Sequence, residues 1–203
     1  MKTTPQNEKM DLIFIMDRSG SMMGSQKDTI GGFNSFIQQE IKKELDTRVT
    51  TVLFDNEYEI LYKRKPIHEV KELTEKEYWV RGTTALLDAI GKTINTLDKE
   101  IDNKTLVVIM TDGYENASRE YTKQQIQNLI ANHNWEFIYI GADIDSYSEA
   151  ANYGFKKSRI ANYKKSEQGV KDAYTSINSA VNYMRADVDL DEVNWKESLE
   201  KYD

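Results

Sequence analysis

Cysteine is absent from this chain of 203 residues, and proline and histidine occur only twice each. Without cysteine the chain has no disulfide framework, no thiolate ligand for zinc and no cysteine nucleophile. The two histidines, His68 and His133, lie far in sequence from the polar motifs described below. We therefore do not expect a zinc site or a catalytic histidine. The lack of cysteine also fits a reducing compartment.

Long apolar runs and an excess of positive charge are absent too. The longest apolar runs, such as residues 12–16, are far too short to span a bilayer. The formal net charge of −7 argues against nonspecific binding to nucleic acid or to anionic membranes. The first ten residues, MKTTPQNEKM, are polar and lack the apolar stretch of a secretory signal. We expect a cytoplasmic protein with neither nucleic acid nor membrane among its partners.

Short apolar runs alternate with helix-spaced apolar residues along the chain. Strands are predicted at 12–16, 49–54, 106–110 and 135–140, with a hairpin partner at 57–62 and an edge strand at 159–163. Helical spacing marks residues 30–45, 86–97, 126–130 and 170–184. This order predicts an α/β fold in which a mostly parallel central sheet carries helices on both faces.

One domain accounts for most of the length. Hydrophobic residues make up 39% of the chain, which is enough for a core at this size. We assign residues 10–185 to the domain, 1–9 to a polar N-terminal tail, and 186–203 to an acidic C-terminal tail or short helix. The pair Gly31–Gly32 in the first helix is unusual, because glycine weakens helices. We interpret it as a sign of close packing between that helix and the sheet.

Polar motifs occur at three places next to the predicted strands and helices. Asp17-Arg18-Ser19-Gly20-Ser21 directly follows the first strand, and Thr111-Asp112-Gly113 follows the strand at 106–110. A Gly-x-Thr that ends in Thr84 precedes the second helix. The carboxyl ends of parallel strands meet at one edge of a sheet, where ligand sites form. We expect two carboxylates and several hydroxyls to converge there.

This set of side chains suits a hard cation. Magnesium prefers oxygen ligands and keeps several waters in its shell. Ser19 and Ser21 are two residues apart, so a loop can direct both hydroxyls to one point, and Thr84 adds a third. Asp17 and Asp112 supply negative charge, directly or through water. The remaining coordination position would favour an acidic oxygen from outside the chain.

The three segments, in this order, resemble the metal-ion-dependent adhesion site of von Willebrand factor type A domains. The resemblance covers roughly residues 10–165, and residues 139–145 look like the late strand and loop of bacterial and phage members of that family. In that family the two serines and the threonine typically bind the metal directly or lie next to its ligands, and the aspartates often act through water. The resemblance therefore implies an α/β fold with a doubly wound, Rossmann-like sheet. It also implies a metal site formed by Asp17, Ser19, Ser21, Thr84 and Asp112.

The function that the resemblance implies is a metal-dependent protein-binding module. A divalent cation, Mg²⁺ or alternatively Mn²⁺ or Ca²⁺, would capture an acidic side chain of a protein partner, and we expect no enzymatic activity. The surface around the metal would add contact area and select the partner. For this rim we predict Arg18, Met22, Met23, Thr83 and Tyr114.

Two other functions stay open at this stage. One is a metal-dependent hydrolase that uses Asp17, Asp112, Asp143 and Asp145. It is disfavoured because no histidine or cysteine lies near the motifs to act as a base or nucleophile. The other, which the resemblance implies because some bacterial relatives act in this way, is a subunit that works with a separate ATPase. The chain has no phosphate-binding G-x-x-x-x-G-K-[ST] motif of its own.

Two further polar features have simpler interpretations. Asp143 and Asp145 are expected to be loop residues near the metal face, with Asp145 or Ser146 capping the next helix. The pair Lys164–Lys165 lies near a tyrosine, but the acidic net charge favours a solvated surface over a nucleic-acid patch.

Overall fold

A computed structural model describes residues 9–203, so the predicted N-terminal tail, apart from Lys9, lies outside the described residues. In the described part of the chain six strands form one sheet. The strands are β1 (Met10–Asp17), β2 (Thr47–Phe54), β3 (Tyr58–Pro66), β4 (Lys104–Thr111), β5 (Glu136–Ala142) and β6 (Ile160–Tyr163). Their order across the sheet is β3-β2-β1-β4-β5-β6.

Five α-helices connect the strands or follow them within residues 9–203. They are α1 (Gln26–Ile41), α2 (Leu86–Leu97), α3 (Lys123–Asn132), α4 (Ser146–Ala151) and α5 (Glu167–Arg185). Short 3₁₀ helices occur at Gly20–Met22, Ile67–Glu69, Lys157–Arg159 and Glu197–Tyr202. Within the described range no helix is long and apolar enough to cross a bilayer.

Every pairing in the sheet is parallel except one. β1 pairs in parallel with both β2 and β4, and β4, β5 and β6 continue in parallel. β3 runs antiparallel to β2, as the hairpin pattern predicted. The chain moves to one side of β1 for β2 and to the other side for β4. The carboxyl ends of β1 and β4 are therefore the point where the strand order reverses, which is where ligands bind in sheets of this kind.

The core has two layers because β1 is buried on both faces. Leu12, Phe14 and Met16 pack in the layer under α1 and α5, whereas Ile13 and Ile15 pack in the layer under α2, α3 and α4. This alternation explains the continuous apolar run of β1, since each face of the strand requires apolar side chains. The predicted doubly wound α/β fold is confirmed.

The first helix differs from the prediction in two respects. It ends at Ile41 and does not reach Leu45, because Glu44 adopts a positive φ of 53° that is incompatible with a right-handed helix. Gly32 does allow close packing, but the contact is with α5 and not with the sheet. A Cβ atom at Gly32 would lie 2.7 Å from side-chain atoms of both Tyr174 and Val170.

Residues 186–203 pack against the domain and end in a short 3₁₀ helix, Glu197–Tyr202. Trp195 and Leu199 are fully buried in the layer under α1 and α5. The segment also lies along the free edge of β6. There Asp203 accepts a hydrogen bond of 3.2 Å from the backbone N–H of Asn162, and Lys196 donates one of 2.6 Å to the carbonyl of Ile160.

Candidate metal-binding site

The carboxyl ends of β1 and β4 bring the five predicted site residues to one place. Asp17 is the last residue of β1, and Ser19 and Ser21 follow in the loop and in the 3₁₀ helix Gly20–Met22. Asp112 directly follows β4. Thr84 lies two residues before α2, in a loop that meets the other segments through contacts described below.

The Asp17 carboxylate is held by two donors. Its Oδ1 accepts the backbone N–H of Ser19 at 2.7 Å, and its Oδ2 accepts the hydroxyl of Thr111 at 2.6 Å. Its side chain is buried, and burial raises the pKa of Asp17 to about 6 despite these hydrogen bonds, with a smaller contribution from the charge of Asp112. A buried carboxylate in this state favours the approach of a cation.

The two serines connect the loop after β1 to Asp112. The hydroxyl oxygens of Ser19 and Ser21 are 3.0 Å apart, and Ser21 Oγ donates to Asp112 Oδ1 at 2.5 Å. Gly113 shows where Thr84 lies relative to them. A Cβ atom at Gly113 would be 2.8 Å from Thr84 Oγ1 and 3.4 Å from Ser21 Oγ, so both hydroxyls border the space that this glycine leaves open. The segments therefore meet as the motif spacing predicted.

The loop that carries Thr84 is held from two sides. The backbone N–H of Thr84 donates to the side-chain oxygen of Asn116 at 2.9 Å, and the N–H of Asn116 donates back to the Thr84 carbonyl at 3.0 Å. On the other side, Ala85 donates its N–H to the carbonyl of Asp55 at 2.8 Å. Asp55 is fully buried and pairs with Arg18 and Arg81, at 3.1 and 3.0 Å. These contacts hold the loop that carries Thr84 in place.

Two predictions about the rim were wrong. Arg18 is only 2% exposed, because its guanidinium pairs with Asp55 and, at 2.6 Å, with Glu59. Met22 is buried in the core layer under α1 and α5. The other three predicted rim residues, Met23, Thr83 and Tyr114, are exposed. Pattern alone does not distinguish a buried arginine inside a loop motif from an exposed one.

Lys165 was not predicted to be part of the site. Its ammonium lies 3.0 Å from Asp112 Oδ2, 3.3 Å from Asp143 Oδ2 and 3.4 Å from the carbonyl oxygen of Ser21. The expectation of a solvated surface is therefore wrong for Lys165, whereas Lys164 is exposed. Nothing in the sequence places Lys165 there, since its position depends on where β6 ends beside β5.

The other polar predictions have plain outcomes. Asp145, and not Ser146, caps α4, because its carboxylate accepts the N–H of Ser148 at 3.0 Å. His68 lies in the 3₁₀ helix that follows β3, and His133 lies where α3 ends before β5 begins. Both positions are at the amino ends of the parallel strands, opposite the site at their carboxyl ends, as the strand directions require.

The donor set fits a hard divalent cation. It consists of two carboxylates and three hydroxyls, all oxygen, which is the chemistry that Mg²⁺, Mn²⁺ and Ca²⁺ accept. Within residues 9–203 no group of three or more histidine, cysteine, aspartate or glutamate side chains is arranged to hold a metal ion. Cation binding at this edge would therefore depend on the hydroxyls as much as on the carboxylates.

Solved structures with the same fold include three from very different proteins. The ArnB paralog VWA2 from Sulfolobus acidocaldarius matches with a TM-score of 0.61 and 18% identity, over 85% of this chain and 45% of that one. The vWF domain of the type V pili tip protein Mfa5 from Porphyromonas gingivalis matches with a TM-score of 0.62 and 11% identity, over 86% of this chain and 96% of that one. Proximal thread matrix protein 1 from the mussel byssus was solved with zinc in its metal-ion-dependent adhesion site (MIDAS) motif. It matches with a TM-score of 0.55 and 17% identity, over 84% of this chain and 47% of that one.

At these identities the structural matches show the fold alone. The chain spans less than half the length of the VWA2 and byssus chains. A search of curated proteins finds no match. The family model described as the von Willebrand factor type A domain matches residues 11–175, which is well over half of the chain. The chain therefore belongs to the von Willebrand factor type A domain family.

Proposed function

We propose that this domain is a metal-dependent protein-binding module. Ser19, Ser21 and Thr84 would hold a divalent cation through their hydroxyls, and Asp17 and Asp112 would hold it directly or through water. Magnesium is our first choice, with manganese and calcium as alternatives. The observation that carries the proposal is that the loop after β1 is hydrogen-bonded to the buried Asp112, while the Thr84 hydroxyl borders the same space.

The electrostatics of the site support capture of an acidic side chain. Three of the five donors are neutral hydroxyls, so a bound cation would keep much of its charge and would attract an anionic oxygen from outside. On a protein partner such an oxygen is most often a carboxylate of aspartate or glutamate. The membership of a family that includes a protein solved with zinc in its MIDAS motif is consistent with this chemistry.

The surface around the site supports a protein as the partner. Three large apolar side chains are exposed among residues 9–203, and they are Met23, Trp79 and Tyr114. Met23 follows the 3₁₀ helix that contains Ser21, and Tyr114 follows Gly113. The Trp79 ring is stacked on the guanidinium groups of Arg18 and Arg81, at 5.4 and 4.5 Å. Exposed aromatic and methionine side chains next to a polar centre are typical of protein-binding surfaces.

We propose a binding role and no catalytic one. The two histidines lie at the amino ends of the parallel strands, too far from the site at the carboxyl ends to serve as a base there. Lys165 is paired with Asp112 and Asp143. A hydrolase would therefore have to use a carboxylate as its only base. Cytoplasmic location, a bacterial or phage origin and cooperation with a separate ATPase remain predictions from the sequence.

The experiment is a binding assay with the whole chain immobilised, in magnesium and in EDTA. Asp112→Asn tests the site, and Glu192→Gln is the matched control, because it makes the same carboxylate-to-amide change at an exposed position. When a partner is retained only in magnesium, each surface aspartate or glutamate of that partner is then changed to asparagine or glutamine. One of these changes should remove the magnesium-dependent part of the affinity. Binding that is unaffected by EDTA, by Asp112→Asn and by every partner substitution would reject the proposal.

A further inference from the structure

The Lys165 ammonium occupies the Asp112 side of the candidate metal site. Two of its three acceptors belong to segments that carry proposed metal ligands: Asp112 Oδ2 at 3.0 Å and the Ser21 carbonyl at 3.4 Å. The third is Asp143 Oδ2 at 3.3 Å. A cation is thus already present at this carboxylate, and it is covalently attached to the chain.

The Asp112 carboxylate requires such a partner when no metal is bound. Its side chain is 0% exposed, and a buried carboxylate is costly unless a positive charge or several hydrogen-bond donors accompany it. Ser21 supplies one donor to Oδ1 and Lys165 supplies the charge at Oδ2. Lys165 therefore stabilises the fold in the absence of metal.

The same ammonium would oppose a metal ion. Two positive charges beside one buried carboxylate repel each other strongly, because the surroundings screen them less than water does. The backbone around Lys165 is held in place, since Tyr163 is buried on one side and Ser166 caps α5 by accepting the Gly169 N–H at 3.1 Å on the other. The Lys165 side chain, however, is 26% exposed and has a path to solvent. Replacement of the ammonium by a metal ion then requires only a rotation of the Lys165 side chain.

We propose that Lys165 is a tethered counter-ion that holds Asp112 in the metal-free domain and leaves the site when a divalent cation binds. This inference rests on the proposed metal-binding function and concerns the regulation of that same site. Lys165 lowers the apparent metal affinity and at the same time stabilises the metal-free fold. Removing its charge should therefore change metal affinity and metal-free stability in opposite directions.

The experiment compares the wild type with Lys165→Met, which keeps the length of the side chain but removes its charge. Lys164→Met is the matched control, because Lys164 is the exposed neighbour. Mg²⁺ and Mn²⁺ affinities are measured by calorimetry, and thermal midpoints are measured in EDTA. Lys165→Met should bind metal about tenfold more tightly and melt at a lower temperature in EDTA. The control should change neither quantity.

A second readout follows Lys165 in the unmodified protein. Amine-reactive labelling, quantified by mass spectrometry, should modify Lys165 faster in magnesium than in EDTA, whereas labelling of Lys164 should be the same in both. This readout detects the movement of the side chain without any variant. Equal labelling of Lys165 in both conditions, with the protein saturated by metal, would overturn the inference.

The outcomes separate this inference from the function on which it rests. If the wild type binds metal and Lys165→Met binds it with equal or lower affinity, Lys165 is an ordinary structural ion pair and the metal site stands. If Lys165→Met binds metal and the wild type does not, the counter-ion role is supported in its strongest form. If no variant binds metal, the proposed metal site and the counter-ion role are both rejected.

Discussion

Ser21 donates a hydrogen bond of 2.5 Å to Asp112, and this contact joins two residues that are 91 positions apart in the sequence. It links the loop after β1 to the end of β4, the two neighbouring strands at which the strand order reverses. An unfolded chain cannot keep these residues together. Any ion that binds through both of them must therefore favour the folded state.

Magnesium or manganese should raise the thermal midpoint of the protein. A ligand that binds only the folded state stabilises it by about 2.7 kcal/mol when its free concentration is a hundred times its dissociation constant. For a domain of this size each kcal/mol corresponds to about 2–4 °C. The measurement is thermal unfolding in millimolar metal against an EDTA-treated sample. Identical midpoints in the two samples, for both the wild type and Lys165→Met, would contradict the metal site.

Asp112→Asn should abolish this metal response and leave the fold intact. The amide keeps the shape of the side chain and an oxygen that can accept from Ser21, but it removes the charge that attracts the cation. Far-UV circular dichroism checks the fold, and thermal unfolding with and without metal checks the response. Glu192→Gln should respond as the wild type does. A full metal response in Asp112→Asn would show that this carboxylate does not contribute to the site.

Metal affinity should depend on pH through Asp17, because burial raises the pKa of that residue to about 6. In the unfolded chain an aspartate titrates near pH 4, so the metal-free fold binds this proton more tightly than the unfolded chain does. Ionised Asp17 therefore disfavours the metal-free fold above pH 6, and protonation relieves this as the pH falls from about 6 to 4.

A metal ion competes with that proton. Its apparent affinity should be nearly constant above pH 6 and fall by up to about tenfold per pH unit below it. Calorimetric titrations between pH 5 and 7.5 test this, with Asp17→Asn expected to show weak binding that varies little with pH. A flat profile for the wild type would separate Asp17 from metal binding.

Gly32→Ala should destabilise the domain, whereas Gly31→Ala should not. A Cβ atom at Gly32 would lie 2.7 Å from Tyr174 and Val170, but one at Gly31 meets nothing within 4 Å. We expect a loss of about 1–3 kcal/mol for Gly32→Ala from overpacking. For Gly31→Ala we expect a gain of about 0.5–1 kcal/mol from the better helix propensity. Urea unfolding of both variants gives the comparison, and equal stabilities would show that α1 and α5 separate easily.

The purified protein should show no phosphatase, nuclease or nucleotide hydrolase activity, even with manganese. The geometric reason is the absence of histidine from the site edge and the pairing of Lys165 with two carboxylates. Standard assays with chromogenic phosphate esters, DNA and ATP are sufficient. A turnover that disappears in Asp17→Ala would favour the hydrolase over the binding module.

The sheet and the meeting of the five site residues were predictable because both follow from local patterns. Continuous apolar runs such as residues 106–110 indicate buried parallel strands, and the polar residues that follow them must then share one edge. The positions of Arg18 and Lys165 were not predictable in this way. Arg18 is buried because it pairs with Asp55 and Glu59 of the β2–β3 hairpin, and Lys165 reaches Asp112 because β6 ends beside β5. Both depend on contacts between distant segments.

Because Trp195 and Leu199 are buried, the packed domain extends beyond the part of the chain that the family model matches. The family match ends at residue 175, inside α5, whereas the apolar interior continues to Leu199. An expression boundary drawn at the family limit would divide a helix and leave a vacancy where an indole ring should be. It would also uncover the hydrogen-bonding edge of β6, the kind of edge through which partly folded chains aggregate. The segment of the chain that defines the family is thus shorter than the segment that forms the core.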